Sequence, residues 1–490
     1  MKRSSWLALL AGGLTPLAFS PVGLFPLAVL MPAGLLYLWM DKTPKQALWL
    51  GWLYGIGFFG IGVSWIYISI HEFGNTPVLL AGIFTGFFVL FLALFPAIQG
   101  YILARWFSGH RLTSLLLAFP IIWILFEWIR GWILTGFPWI LLAYSQVSSP
   151  LNGLIPLLGE WGTGFAVLLS SGLLVSMYYA QKSTRYILFA SLVLLWLISG
   201  LLSQIRWTAP AGKALSVVLT QGNIPQELKW NENYIKRTLE TYVQLTRPYW
   251  GADIIVWPES AIPLSLDQAQ EFVNNLSQEA IKNGTALLIG IPIKRDNGSY
   301  YNSVYGLGNG QGVYHKRRLV PFGEYVPLDA LLRGAIAFLN IPMSNFEPGA
   351  EDQPNLFVRD IPMAPFICYE IAYSHIVRQH LPQAQLLVTI SNVAWFGDSL
   401  APWQHLEMGQ FRALQTGRYH LMDGNAGITA VIDNKGRVQS RIPQFQTAVL
   451  KDVVQPMVGA TPWVRLGDWP ILGLMMIVLG GVFVRRYRAG

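Results

Sequence analysis

Charge is distributed along this chain in three blocks, and that distribution limits what it can fold into. Ionisable residues are sparse from Trp6 to Ile205, ordinary in frequency from Arg206 to Asp468, and absent from Trp469 to Val484. Of the 490 residues 53% are hydrophobic and only 12% charged, against roughly 25% charged in a soluble domain. A segment that crosses a bilayer as a helix needs about 20 mostly apolar residues. Stretches of this kind run over Trp6–Phe19, Leu24–Met40, Gln46–Ile70, Val78–Ala104, Leu112–Ile129, Thr163–Ala180, Tyr186–Ser203 and Trp469–Val484. The first is short and follows Lys2 and Arg3, as the apolar part of a secretory leader would, but no small-x-small cleavage pattern follows it. It is read as a span.

Basic residues test this division. With a cytoplasmic N-terminus, the inside segments hold Lys2, Arg3, Lys42, Lys45, Arg105, Arg111, Lys182, Arg185, Arg485, Arg486 and Arg488. The opposite loops hold little beyond Glu72 and Arg130. Positive charge concentrates on the cytoplasmic side of membrane proteins, so eight spans with both termini inside are expected. The expected organisation is a membrane domain over 1–205, an external domain over 206–468, and a last span with its tail over 469–490. In a cell with two membranes the external domain is periplasmic. That middle block has 22 basic and 22 acidic residues, so the chain's net charge of +8 lies in the membrane parts. No basic stripe argues for nucleic acid. The seven histidines are scattered without a ligand spacing, so neither a metal nor another cofactor is expected.

Within the spans, Gly51 and Gly55 form a small-xxx-small pair suited to close helix packing. Glu127 and Arg130 share one helix face at i, i+3 near the outer boundary, among Trp128, Trp132 and Trp139. A charged pair at that depth is either a local anchor or a lipid contact.

The middle block contains short apolar runs ending in turn residues: "ALSVVLTQGNIP", "ADIIVWPES", "TALLIGIPI", "GVYHKRRLVPFGEYVP", "MAPFICYEI", "QLLVTISNVAWF" and "GITAVIDNKGRV". Each reads as a buried strand entering a loop, and "DNKG" as a hairpin turn. Helical stretches at Asn233–Leu245, Asp267–Asn283 and Trp403–Tyr419 alternate with them, which predicts an α/β sandwich. Three polar residues stand at the ends of such runs: Glu259, Lys316 and Cys368, the only cysteine in the chain. A lone cysteine is usually a small buried hydrophobe. A carboxylate and an ammonium beside it would instead make a nucleophile. Spacing alone does not choose between the two.

The longer contexts do. "QGNIPQELKW" (221–230), "VWPESAIP" (256–263), "YHKRRLVPFGEYVPL" (314–328), "ICYEI" (367–371), "SNVAWFG" (391–397), "PWQH" (402–405) and "NAGITAVI" (425–432) resemble the nitrilase superfamily, and within it the apolipoprotein N-acyltransferase family. The resemblance covers nearly the whole chain. It implies a nitrilase-like αββα sandwich inserted between transmembrane helices 7 and 8 of an eight-helix membrane domain, in the inner membrane. It also implies Glu259 as general base, Lys316 as the cation for the tetrahedral intermediate, and Cys368 as nucleophile. Glu324 supports the site, Tyr369 and Glu370 flank the nucleophile, and Trp230, Asn302, Trp395 and Phe396 shape the pocket or its lid. The implied partners are a phospholipid acyl donor, a diacylated apolipoprotein acceptor and membrane lipid, with the enzyme a monomer. One position departs from the family pattern: Val393 stands where many members carry an acid. Two readings outside the family's activity are a membrane-tethered amidase acting on a small C–N substrate and a catalytically dead lipid-binding protein.

Overall fold

The computed structural model describes residues 2–108, 111–321, 323–325 and 345–489. Residue 322 and the end of the "YHKRRLVPFGEYVPL" stretch, 326–328, lie outside them. The chain divides into two compact units. One comprises Met1–Tyr67, Val78–Arg206 and Arg465–Gly490, the other Ile68–Pro77 and Trp207–Val464.

The first unit is helical wherever the apolar runs lie. Its long helices are Lys2–Leu14, Leu27–Trp39, Pro44–Gly62, Val78–Trp106, Phe119–Arg130, Ile155–Tyr179, Lys182–Leu202 and Trp469–Ala489. Among the described residues three helical segments, Val78–Trp106, Pro150–Tyr179 and Lys182–Leu202, are long and apolar enough by themselves to cross a membrane. A fourth is reached by taking Pro44–Gly62 together with the broken-off piece Ile66–Phe73. The uninterrupted run expected over Gln46–Ile70 is therefore broken. Its helix ends in the glycine-rich Gly60–Gly62 stretch, and Ser64 Oγ takes the Ile61 carbonyl at 3.0 Å, a combination that interrupts the i→i−4 ladder. The run over Leu112–Ile129 has a π-turn at Ser114–Ala118 just before Pro120, whose missing N–H cannot continue the ladder.

Gly51 and Gly55 act as expected of small residues. A Cβ at Gly51 would lie 2.2 Å from the Pro96 carbonyl oxygen, and one at Gly55 would lie 2.6 Å from Ala93 Cα. Helix Pro44–Gly62 thus rests directly on the backbone of Val78–Trp106. Glu127 and Arg130 are 4% and 3% exposed and make their polar contacts inside the helical unit. Glu127 Oε1 accepts from Trp123 Nε1 (3.3 Å) and from the Leu142 N–H (3.2 Å). Arg130 Nη1 donates to the carbonyls of Phe137 (2.8 Å) and Trp139 (2.7 Å), and its guanidinium lies over the Phe59 ring. The cause is the loop 137–142, whose non-helical backbone needs partners where water is scarce; these two side chains supply them.

The second unit is built on two large sheets. Its strands are β1 (Thr208–Pro210), β2 (Leu215–Gln221), β3 (Ile254–Val256), β4 (Ala286–Lys294), β5 (Tyr300–Gly308), β6 (Gly310–Gln311), β7 (Val313–His315), β8 (Leu356–Val358), β9 (Ile361–Ile367), β10 (Leu386–Ser391), β11 (Tyr419–Gly424), β12 (Thr429–Ile432), β13 (Val438–Ile442), β14 (Ala448–Val454) and β15 (Met457–Gly459). One sheet has the order β14-β2-β3-β4-β5-β7 and the other β13-β12-β11-β10-β9-β8-β6, while β1 and β15 pair separately. The centres of both large sheets are parallel: β2, β3 and β4 in one, β9, β10 and β11 in the other.

Alternation along each strand explains the layers. Val217, Leu219, Ile254, Val256 and Leu288 join Ile367, Leu386, Val388 and Ile390 in one core between the sheets. Their sequence neighbours Val218, Ile255, Leu287 and Ile289 face outward into a second core, with Tyr242 and Val273 from the helices Glu232–Thr246 and Gln270–Lys282. A strand with both faces apolar is what a parallel, helix-covered sheet requires. Helix Ala401–Thr416 ends in Gly417 at φ +67°, the left-handed cap that glycine tolerates. The "DNKG" turn joins antiparallel β12 and β13 as expected.

The Pro258–Ser260 turn after β3 presses on Gly290 of β4. A Cβ there would sit 2.3 Å from Pro258 O and 2.6 Å from Ser260 N. Gly290→Ala must therefore push this turn, which carries Glu259, off the sheet. Overpacking of this kind costs about 1–3 kcal/mol. A lowered Tm in a thermal melt is the expected result; an unchanged Tm would mean that the turn yields freely.

Candidate active site

Glu259, Lys316 and Cys368 each follow the C-terminal end of a strand (β3, β7 and β9) and so come from both sheets. The structure brings them together. Lys316 is 1% exposed, and its Nζ donates to Glu259 Oε1 at 3.1 Å and to Glu324 Oε1 at 2.9 Å. Asn302, on β5 next to β7, donates through Nδ2 to the same two oxygens, at 2.7 Å and 3.0 Å. Glu324 Oε2 accepts from the Val320 N–H at 2.8 Å. The other oxygen of Glu259, Oε2, accepts from the Asn392 N–H at 2.8 Å, and that N–H also bears on the Cys368 thiol.

Cys368 is 8% exposed and has φ +53°. A non-glycine residue in the left-handed region is held there by its surroundings, and two contacts do so here. His405 Nε2 lies 3.0 Å from the Cys368 carbonyl oxygen. Burial lowers the His405 pKa, so at neutral pH the ring is uncharged. Glu370, wholly buried, accepts from the Ile367 N–H (2.8 Å), the Tyr314 hydroxyl (2.9 Å) and the N–H groups of Arg317 (2.6 Å) and Arg318 (3.3 Å). One carboxylate thereby ties the backbone beside Cys368 to the backbone beside Lys316. Its own pKa is raised by burial, against the pull of the Arg317 and Ile367 N–H groups.

The remaining expected residues lie further out. The Tyr369 hydroxyl accepts from that of Tyr373 at 2.7 Å, and the Tyr369 and Phe396 rings pack at the edge of the inter-sheet core. Trp230 is half-buried in the turn after "QGNIP". The Trp395 carbonyl accepts from Ser69 Oγ at 2.8 Å and its ring meets Phe73 edge-on, so the segment Ile68–Pro77 braces this loop. Val393 is 3% exposed in the core that also holds Cys368, and it occupies the space a side chain at Gly427 would take. An apolar residue suits that position.

Several residues of the site went unread in the sequence. Asn392 Nδ2 donates to Gln226 Oε1 at 2.6 Å, and Asn425 Nδ2 donates to Asn392 Oδ1 at 3.1 Å and to the Ile224 carbonyl at 2.8 Å. These amides lock the 223–229 loop against β10. Lys229, 1% exposed, donates to the Glu259 carbonyl at 2.8 Å. For Asn392 and Asn425 the available signal was their place inside the quoted stretches, each directly following a buried strand; Lys229 offered none.

The protonation pattern follows from these contacts. Burial alone would raise the Glu259 pKa, but the cations Lys316 and Lys229 hold it below the ordinary carboxylate value. Burial opposes the Lys316 charge, and Glu259 and Glu324 overcome it, raising the Lys316 pKa. The Cys368 thiol is pushed up to about 12 by burial and by the Glu259 charge, with Lys316 pulling the other way. The resting site is a neutral thiol beside an ionised base. Such a group can deliver a thiolate to an electrophile if the proton moves as the bond forms.

Residues 11–173 match the family described as "Apolipoprotein N-acyltransferase N-terminal domain", and residues 216–462 match "Carbon-nitrogen hydrolase". The apolipoprotein N-acyltransferase of Azotobacter vinelandii is 45% identical over 99% of this chain and 96% of its own. The chain belongs to the apolipoprotein N-acyltransferase family. That of Coxiella burnetii is 43% identical over 97% of this chain and 99% of its own. Among solved structures, Saccharomyces cerevisiae Nit3, a member of branch 10 of the nitrilase superfamily, aligns with 51% of this chain and 93% of its own, at TM-score 0.38 and 16% identity. Family membership makes the chain an acyltransferase whose second unit has the nitrilase-like fold.

A protonated thiol predicts a particular reactivity. Alkylation of Cys368 by iodoacetamide, followed by intact mass, is expected to rise continuously from pH 6.5 to 9 without a plateau. A plateau below pH 8 would mean a preformed thiolate.

Proposed function

We propose that this protein N-acylates the α-amino group of the N-terminal diacylglyceryl-cysteine of apolipoproteins, taking the acyl chain from a phospholipid. The donor is phosphatidylethanolamine, through its sn-1 chain. The observation that carries the reading is the buried Lys316 ammonium held between Glu259 and Glu324 next to the chain's only thiol, in a chain alike over its whole length to named apolipoprotein N-acyltransferases.

The reaction runs in two halves. The donor ester carbonyl binds over Cys368. Glu259 takes the thiol proton as sulfur attacks, and the negative charge that leaves the carboxylate reappears on the carbonyl oxygen, where Lys316 meets it. Collapse breaks the ester C–O bond; Glu259 returns the proton to the departing oxygen, and a lysophospholipid leaves. Cys368 now carries a thioester. The neutral amine of the acceptor attacks that thioester, Glu259 accepts the amine proton, and the C–S bond breaks to give the amide and regenerate the thiol. Glu324 and Asn302 keep Lys316 and Glu259 in register through both halves. Glu370 fixes the nucleophile's turn, the Tyr369 N–H supplies a second oxyanion donor, and Trp230, Trp395 and Phe396 border the acyl entry. Glu127 and Arg130 are assigned to the structure of the membrane unit because both are buried and engaged there.

Both substrates are held in a bilayer, which favours an enzyme built on a membrane base. Concentrating and orienting the chains is itself catalytic, and chain burial contributes about 0.8 kcal/mol per CH₂. The proposed organisation is an inner-membrane monomer with eight spans, a membrane domain over 1–205, a periplasmic catalytic domain over 206–468, and an eighth span with a cytoplasmic tail over 469–490.

Incubation with phosphatidylethanolamine, without acceptor, should add one acyl mass to the intact protein, released by neutral hydroxylamine and absent in Cys368→Ala. Glu259→Gln should slow its formation by at least about a hundredfold. An accessible donor and no adduct would favour an amidase acting on a small C–N substrate; an inert Cys368 would favour a dead lipid-binding protein.

A further inference from the structure

Lys229 is a buried lysine that the two half-reactions above leave unused. It is 1% exposed, and among the described residues its ammonium makes no ion pair and one hydrogen bond, the 2.8 Å donation to the backbone carbonyl of Glu259. An ammonium taken out of water costs several kcal/mol unless it is compensated, and one neutral carbonyl is poor compensation. The cost is met by position. Lys229 stands on the 223–229 loop, which Asn425 fastens through the Ile224 carbonyl and Asn392 fastens through Gln226. The same Asn392 donates its N–H to Glu259 Oε2. Glu259 is thus fixed from three sides: Lys229 on its carbonyl, Asn392 on one carboxylate oxygen, and Asn302 with Lys316 on the other.

The charge count points the same way. Glu259, Glu324 and Lys316 together carry a net negative charge. A negative cluster opposes both the thiolate and the oxyanion that the chemistry must create. Lys229 restores neutrality. The titratable groups that act on it are Glu259, on the turn after β3, and Cys368, after β9; Lys316 and Glu324 complete the set around the base.

We infer that Lys229 is a positioning residue for this reaction: it clamps the main chain of the base and is the second cation that lets Cys368 ionise. The inference rests on Cys368 being the nucleophile. Burial brings the Lys229 pKa down to about 8, with Glu259 and Cys368 holding it up, so its charge is present at neutral pH and lost above pH 8.

The test is the rate of iodoacetamide alkylation of Cys368 from pH 6.5 to 9.5, by intact mass, on the full chain in detergent. Wild type, Lys229→Met and Lys229→Arg are compared, with Cys368→Ala as blank. A unit charge in a partly polar interior shifts a neighbouring ionisation by roughly one to two decades, so Lys229→Met should be roughly ten- to a hundredfold slower at pH 7. That deficit should shrink above pH 8, where the wild type loses the same charge. Lys229→Arg keeps its charge throughout, so its rate relative to wild type should climb above pH 8, and this holds even if the Met variant fails to fold. A Met variant as fast as wild type, or ratios independent of pH in both variants, would overturn the inference. A wild-type Cys368 that resists alkylation at every pH would instead overturn the assignment of the nucleophile.

Discussion

Everything in the catalytic unit is arranged around one buried ammonium. Lys316 lies between Glu259 and Glu324, and neither Lys316 nor Glu259 would stay ionised at that depth alone. Removing one partner of such a group costs about 3–5 kcal/mol because the remaining charge stays buried without compensation. The requirement to keep three charges matched explains the surrounding order: Asn302 reaching both carboxylates, the Val320 N–H on Glu324, and the Asn392 N–H on Glu259. These contacts fix the groups in advance of any substrate.

The two sheets supply the frame. Glu259 and Lys316 come from one sheet and Cys368 from the other, so the site is cohesive only while the sheets keep their register. Glu370 acts on that register directly, because its carboxylate takes N–H groups from both sides of the seam. It is closer to a strut than to a reactant.

The strands that could be read in the sequence are those with continuous apolar runs, β2, β3, β4, β9 and β10, because burial on both faces leaves an unbroken signal, together with β7 and β12, whose short apolar runs lead into the quoted loops. β5, β11 and β14 were not read. β5 is "YYNSVYGLG", polar and aromatic by turns, yet it places Asn302 between two carboxylates. β11 buries His420 and Asp423, residues that in one dimension resemble a loop. The three catalytic candidates were legible only through the long stretches around them, since a Glu, a Lys and a Cys near strand ends are commonplace. Lys229 was not legible at all: beside Glu227 it resembles a solvated turn, and only the folding of the 223–229 loop onto β10 encloses it. In the membrane unit, hydropathy located the helices but carried no information on the break after Gly62 or on the inward turn of Glu127 and Arg130.

The burial of Cys368 also bears on how long the enzyme lasts. Oxidation to sulfenic acid, disulfide exchange and adventitious capping all begin from the thiolate. A buried thiol whose pKa is pushed up to about 12 offers almost no thiolate to an oxidant. The same desolvation that holds the thiol protonated therefore preserves it, and a single free cysteine can persist without a partner to shield it.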